Sequence, residues 1–383
     1  TMSSNTLEEC RQKIDAVDNQ MMELFLERMR IASAIAQLKQ KENLPILNPA
    51  RERDILRRVT QQAGEEFGSY ARVLFSTLFD LSKSYQRRWV DNGSTLIADI
   101  TRQLENSPAD FPDTASVACM GIEGAYAQIA AEKIFKAADI MFFRSFAGVF
   151  QAVESGLCEC AVLPLENSTS GTVDTVYDLM RDYKFHFVRS CRLQVVHSLL
   201  APAGVALEDI REVFSHPHGL KQCSKYWAER PDVKLTACES TAHAAELVAK
   251  SGRRDAAAIA SRECADIYGL RVIPCEMRDS DFNYTRFICI SKKPFIYPGA
   301  NKISLMACLP HKPGSLFRLI SKFAAQELNL TKLESRPVPG REFEYRFYFD
   351  FDGSVRTPSV LRLLGELEAD TETLFFLGNY SEI

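Results

Sequence analysis

The sequence predicts three successive architectures: an all-helical module, an α/β module and a small α+β module. Three observations carry this. Apolar residues recur at alternating three- and four-residue steps from about Thr6 to Glu42. Beyond Ala115, short β-rich apolar runs alternate with helical stretches. After about residue 300 the pattern reads strand, helix, strand, strand, helix, strand, the ferredoxin-like order.

The first helix carries Ile14, Val17, Met21, Leu24, Ile31, Ile35 and Leu38 as a seam suited to packing against other helices. Arg28 occupies a seam position, where burying a guanidinium is costly unless an anion meets it. Lys39, eleven residues on, falls within about 20° of the same face. Arg11 shares a heptad position with Lys39 but lies ~42 Å from it along the axis. All three cations reach one small ligand only if two such helices run antiparallel, so the spacing predicts an intertwined dimer with an anion site built between chains. Asn48 and Pro49 mark the cap and first turn of a second helix, to about Gln62. A third is expected from roughly Ser69 to Trp89, with Ser82 and Gln86 on one face. Residues 5–92 thus form the helical module, and the Pro-containing polar stretch 93–115, with a short helix inside it, reads as a linker.

In the α/β module, 116–293, strands are expected over 116–120, 161–165, 212–215, 234–238, 256–260 and 286–290. The loops around them are rich in hydroxyl and amide groups, where ligands usually sit in such sheets. The turn at Gly121-Ile122-Glu123-Gly124 lacks both the dinucleotide-binding glycine spacing and a phosphate-loop lysine. The last module, 300–383, places strands at 302–308, 331–336, 344–351 and 373–380, with helices at 314–328 and 357–369.

With 46% hydrophobic and 25% charged residues and a net charge of -4, nothing points to nucleic acid or a membrane surface. No apolar run approaches the ~20 residues of a membrane span and the N-terminus lacks a signal-like core, so a cytoplasmic location is expected. The eleven cysteines are scattered without metal-ligand or redox spacing, which predicts reduced structural thiols, no metal and no cofactor.

Arg11, Arg28, Lys39, Arg51, Glu52, Ser82 and Gln86 together suit a dicarboxylate whose reaction needs positioning and charge stabilisation but no nucleophile. Through LEECRQKIDAVDNQ, LFLERMRIA, ARERD and DLSKSYQ, residues 7–90 resemble the all-helical class of chorismate mutase. The resemblance implies the Claisen rearrangement of chorismate to prephenate. Arg11 of the partner chain, Arg28 and Arg51 would hold the carboxylates, and Lys39 and Gln86 would donate to the ether oxygen. Glu52 would accept from the ring hydroxyl, Ser82 would assist binding, and Asn48 is either a ligand contact or simply the helix cap.

The LPLENSTSG and TRF segments, with Ser215-His216-Pro217-His218, Gln222 and Glu239-Ser240-Thr241, resemble prephenate dehydratase across about 116–292. This implies two α/β lobes of periplasmic-binding-protein type and conversion of prephenate to phenylpyruvate by loss of carbon dioxide and the ring hydroxyl. Thr285 would aid the departing hydroxide, and Glu166, Asn167, Ser168, Thr172, Ser215 and Gln222 would line the cleft. The proton comes either from Thr285 or from a water activated by Glu166 or a histidine. Arg286 either binds a substrate carboxylate or makes an ion pair that holds the loop, and His216 and His218 read more readily as strand-end caps than as acid and base. The last module resembles an ACT domain. Pro313-Gly314-Ser315-Leu316 opens its first helix and Glu334-Ser335-Arg336 ends its second strand, implying phenylalanine as a feedback effector bound by these segments between paired domains. The alternatives are a ligand-binding regulator on a helical dimerisation stalk, or a chain that retains one of the two activities.

Overall fold

A computed structural model of the chain describes residues 7–42, 44, 48–87, 94–279, 282–338 and 345–383. It divides into two compact units, one of residues 1–98, 309–327 and 361–373, the other of 99–308, 328–360 and 374–383.

The first unit is helical. Helix α1 spans Leu7–Glu42, about 54 Å of continuous helix, with Glu8 and Glu9 in its first turn and Lys39 and Lys41 in its last, where each sign suits the helix dipole. Helix α2 spans Pro49–Arg87. Asn48 Oδ1 accepts from the Arg51 amide at 3.1 Å, which satisfies one free N–H of the first turn. Two helices were expected here, separated by several residues. The structure needs only Gly64, whose φ of 72° breaks the helical path at a single glycine before it resumes. Trp89, the expected end, lies outside the described residues.

Only Ala32 and Ala36 of α1 are fully buried. The seam residues Ile14, Val17, Met21, Leu24, Ile31, Ile35 and Leu38 are all exposed, at 40–65%. A stripe of this length left in water forfeits about 1.5–3 kcal/mol for each large side chain that a neighbour would cover. Helix α3, Thr95–Asn106, begins in this unit, where Glu368 accepts from Ser94 Oγ, Thr95 Oγ1 and the Leu96 amide.

The second unit holds two sheets. In chain order its strands are β1 Thr114–Met120, β2 Ala137–Phe143, β3 Cys160–Asn167, β4 Gly171–Thr172, β5 His186–Gln194, β6 Ser198–Ala201, β7 Glu212–Ser215, β8 Lys234–Ala237, β9 Ala256–Ala260, β10 Arg271–Ile273, β11 Tyr284–Ser291, β12 Lys302–Cys308, β13 Leu330–Pro337, β14 Tyr345–Asp352 and β15 Thr373–Glu382. The larger sheet runs β13-β14-β12-β15-β5-β11-β3-β1-β2, with β4 on β3; the smaller runs β10-β6-β9-β7-β8. Helices α4 Tyr126–Ile134, α5 Phe146–Glu154 and α6 Asp174–Tyr183 accompany the larger sheet. Helices α7 Pro217–Lys221, α8 Ser224–Ala228, α9 Thr241–Ser251 and α10 Glu263–Tyr268 accompany the smaller. Each sheet has an apolar cluster on either face, the mark of a two-lobed α/β arrangement.

The C-terminal strands do not form a sheet of their own. Strand β15 pairs with β5 in parallel through Ser381–Arg189 and Glu382–Ser190, so one sheet continues from β13 to β2. Gly378 allows this approach, because a Cβ there would lie 2.2 Å from the Phe187 carbonyl oxygen. Helices α11 Ser315–Ala325 and α12 Pro358–Asp370 complete the β12-α11-β13-β14-α12-β15 order.

Candidate functional site

In the first unit, α1 and α2 bring Arg28 to Ser82. The half-buried guanidinium donates to the Leu78 carbonyl at 3.0 Å and to Ser82 Oγ, and lies 5.8 Å from the Phe79 ring centroid. Burial lowers its pKa, the cost that the seam position foretold. One turn beyond Ser82, Gln86 is buried with its Oε1 unmatched by any donor among the described residues. Glu52 and Asp80 both pair with Lys83, at 3.5 and 2.8 Å. Lys83 was not singled out in the sequence, because its partners Glu52 and Asp80 are recognised only once the helix is folded. Lys39 is half-buried and Arg51 exposed. Arg11 is exposed and pairs with Glu8 at 3.6 Å, on the same turn of its own helix. A single chain therefore assembles Arg28 with Ser82 and leaves Arg11 facing outward.

In the second unit, the end of β3 and the start of β11 run antiparallel, with Asn167 opposite Thr285. Asn167 Oδ1 accepts from the amides and hydroxyls of Thr169 and Ser170, a turn that fixes the side chain. Its Nδ2 is thereby aimed at Thr285 Oγ1, 2.8 Å away, and at Asn283 Oδ1, 2.9 Å away. Because Thr285 accepts this bond, its own hydrogen is left to donate. Asn283 Nδ2 passes the chain on to Gln222 Oε1 at 2.9 Å, and Gln222 Nε2 donates back to Thr169 Oγ1 at 3.0 Å. Beside this network is a cavity of about 220 Å³ lined by Thr169, Ser170, Val195, His197, His218, Lys221, Gln222, Arg278, Asp279 and Asn283. His197, Lys221 and Arg278 were not singled out in the sequence; single basic residues in loops carry no periodic or motif signal.

Of the expected cleft residues Gln222 lines this cavity; Asn167 and Thr285 are joined to it through Asn283, and the others are placed elsewhere. Glu166 points to the other side of β3, where it takes Arg286 Nη1 and Lys332 Nζ, each at 2.9 Å. Burial pushes the Glu166 carboxyl up, but Lys332 and Arg286 outweigh it and hold the pKa below the ordinary value, so Glu166 is an ionised partner without a proton to give. Arg286 is 5% exposed and also meets Asp350 at 2.6 Å and the Tyr380 hydroxyl. Of its two sequence readings, the ion pair is the one the structure makes, and it holds β11 against the C-terminal strands instead of meeting the cleft. Thr172 donates to Glu334 at 2.5 Å and accepts from Lys332. Ser215 is wholly buried and donates to the Ile259 carbonyl at 2.7 Å, so it supports β9 and does not line the cleft. Ser168 clamps the loop, donating to the Phe282 carbonyl and accepting from the Tyr284 amide. His216 Nδ1 accepts from the His218 amide and caps α7.

Of the expected effector residues, Gly314 is the N-cap of α11 at φ 79° and Ser315 Oγ accepts from Arg318. Leu316 is half-buried. On β13, Glu334 meets Thr172 and Lys332, Ser335 is exposed, and Arg336 pairs with Asp174 at 2.6 Å and Asp178 at 3.5 Å. Among the described residues no group of three or more His, Cys, Asp or Glu is placed to hold a metal, and no helix is long and apolar enough to cross a membrane.

The family model for chorismate mutase type II matches residues 10–87, and that for prephenate dehydratase matches 117–295. The bifunctional chorismate mutase/prephenate dehydratase of Escherichia coli (strain K12) is 30% identical over 99% of this chain and 97% of its own. The arogenate dehydratase/prephenate dehydratase 2 of Arabidopsis thaliana is 39% identical over 69% of this chain and 72% of its own. A prephenate dehydratase from Arthrobacter aurescens, solved in complex with L-Phe, superposes with a TM-score of 0.64 at 27% identity, covering 70% of this chain and 90% of that one. The chain belongs to the bifunctional chorismate mutase/prephenate dehydratase family.

Proposed function

We propose that this chain rearranges chorismate to prephenate in its helical module, 5–92, and converts prephenate to phenylpyruvate in its α/β module, 116–293, joined by the linker 93–115. The observation that carries the second activity is the bond from Asn167 to Thr285: an amide locked by its own turn makes Thr285 Oγ1 an acceptor and leaves its hydrogen to donate, one hydrogen-bonded step behind the cavity-lining Asn283, and a leaving hydroxide needs such a donor. Lys221 and Arg278 line the same cavity and suit a dianion. The Arabidopsis relative is named for arogenate as well as prephenate. An amino-bearing substrate would want an anion for its ammonium. Asp279, the one carboxylate among the described lining residues, is already engaged by the Ser224 and Lys225 amides at the start of α8. That favours the keto acid.

For the first activity, the apolar stripe of α1 calls for a second helix, and a second copy running antiparallel would bring its Arg11 to the Arg28, Lys39, Arg51, Glu52, Ser82 and Gln86 of this one. The working unit in this reading is at least a homodimer in the cytoplasm. Residues 300–383 would act as an ACT module binding phenylalanine through Gly314, Ser315, Leu316 and Glu334, Ser335, Arg336, and the ion pairs of Glu166 with Lys332 supply a physical route from β13 to the strand that holds Asn167. A two-step assay tests the whole: chorismate consumption for the first module, phenylpyruvate from supplied prephenate for the second. Failure of either with folded protein removes that activity.

A further inference from the structure

His197 lies between β5 and β6, 8% exposed, and lines the cleft cavity. Its Nε2 is 2.8 Å from Gln222 Oε1 and its Nδ1 is 3.2 Å from the Tyr126 hydroxyl. Donor counting fixes the first contact. The Gln222 amide is oriented by the bond from its Nε2 to Thr169, and its oxygen already accepts from Asn283, so His197 Nε2 must carry a hydrogen. The second contact is a conflict. The Tyr126 hydroxyl has the Val196 carbonyl to donate to, at 2.9 Å, which turns an oxygen lone pair toward Nδ1. With a neutral ring, one phenolic hydrogen faces two acceptors and one of them goes unmatched. With an imidazolium, both ring nitrogens donate and every group in the chain is satisfied.

The surroundings oppose that charge. Burial, and to a lesser degree His216, hold the ring pKa below its ordinary value, although the bond to Gln222 works the other way. The charged or titratable groups facing it are Tyr126 from α4; His216, His218 and Lys221 at and within α7; and Arg278 and Asp279 before β11. Lys221 and Arg278 add positive potential, and Asp279 is committed to α8.

We propose that His197 is a positioning residue that takes up one proton, at Nδ1, as the prephenate dianion enters the cleft, so that it donates to Tyr126 while its Nε2 keeps its bond to Gln222 at the edge of the Asn283–Asn167–Thr285 network. The dianion brings negative charge to balance the imidazolium, which the Asp279 carboxylate, engaged by the Ser224 and Lys225 amides, does not supply. The overall reaction consumes a proton, since prephenate dianion and one proton give phenylpyruvate anion, carbon dioxide and water; that proton is drawn from solvent and is not the one held by His197. His197 stays charged through the step, with its hydrogens on Gln222 and Tyr126, and loses its proton when the product leaves. The inference rests on the dehydratase reading above.

The experiment uses the full-length protein and has two arms. In the first, kcat and KM for prephenate are measured from pH 6 to 9 for the wild type, His197→Gln and His197→Ala. The wild-type KM should rise with pH by up to about tenfold for each unit by which the substrate raises the ring pKa, while kcat stays level. His197→Gln keeps an N–H for Gln222 but cannot titrate, so its kcat should stay within about threefold of wild type and its KM should be high and flat with pH. His197→Ala should lose kcat as well. In the second arm, prephenate is titrated calorimetrically at pH 7.5 into Thr285→Ala and into Thr285→Ala/His197→Gln, in phosphate and in Tris. The first should take up close to one proton per site and the second none. Turnover of prephenate with a KM flat in pH, or uptake that persists without His197, overturns this inference alone. Absence of any prephenate turnover in the wild type removes the dehydratase reading instead.

Discussion

Replacing Arg286 by Met separates its two roles as substrate ligand and as internal clamp. The guanidinium is 5% exposed and Asp350 is 3% exposed, 2.6 Å apart, with Glu166 on the other side at 2.9 Å. Deleting the cation leaves a buried carboxylate held, among the described residues, by Ser304, whose hydroxyl donates at 2.5 Å. Breaking a buried pair from one side costs about 3–5 kcal/mol, because the remaining charge stays desolvated. For a unit of this size each kcal/mol lowers the melting temperature by roughly 2–4 °C, so Arg286→Met should melt about 6–20 °C below wild type. Adding Asp350→Asn removes the stranded charge and should recover a large part of that loss. Thermal and urea melts followed by circular dichroism read both, and activity is taken well below the transition. A single variant that melts with the wild type and shows only a raised KM for prephenate would refute the clamp and return Arg286 to the substrate.

Further outcomes follow from the same geometry. Arg28→Ala should abolish chorismate mutase activity and spare phenylpyruvate formation, and Thr285→Ala should do the reverse; joint loss in both folded variants would contradict independent sites. Gly378→Ala forces a Cβ to 2.2 Å from the Phe187 carbonyl, so β15 should part from β5 and the melting temperature fall by about 5 °C or more, read by calorimetry. Glu166 has a lowered folded pKa, so its contribution to stability is complete above its unfolded value of about 4.5 and is lost as pH falls below it. Acid unfolding of Glu166→Gln, followed by fluorescence, should accordingly be less steep over that range than in wild type. Millimolar phenylalanine should lower the dehydratase rate, and Glu334→Ala should weaken that response; equal rates with and without the amino acid would remove the effector role.

The elements legible in the sequence were those whose burial is continuous or periodic. Strand β9 matched its expected span because all five of its residues are buried, a run that reads as a core strand without context. Strand β12 matched for the same reason, being buried at all but its last position. Strand β5 escaped notice because it carries two arginines, and the structure explains both. Arg189 lies 3.6 Å from the Phe111 ring centroid and Arg192 pairs with Glu382, so each charge is taken up by a partner far along the chain. Strand β2 opens on Ala-Ala-Asp and, among the described residues, pairs with β1 alone, which leaves an edge strand little apolar signal. In the site, motif segments located Asn167 and Thr285, but not which face of β3 each neighbour occupies. Glu166 and Asn167 are adjacent in sequence and, by the two-residue period of a strand, project to opposite sides. Only the distant partners Lys332 and Asp350 show that Glu166 and Arg286 face away from the cleft. His197 had no local signal at all, since its meaning lies in Tyr126 and Gln222, which come together only on folding.

Arg11 is expected to act in the partner's mutase site. Arg11→Ala and Arg28→Ala chains, each inactive alone, can be mixed by co-expression and assayed for chorismate consumption. Random mixing makes about half the dimers heterodimers, each with one intact site of two, so roughly a quarter of wild-type activity should return. If the mixture stays as inactive as its components while heterodimers are shown to form, the shared site does not exist.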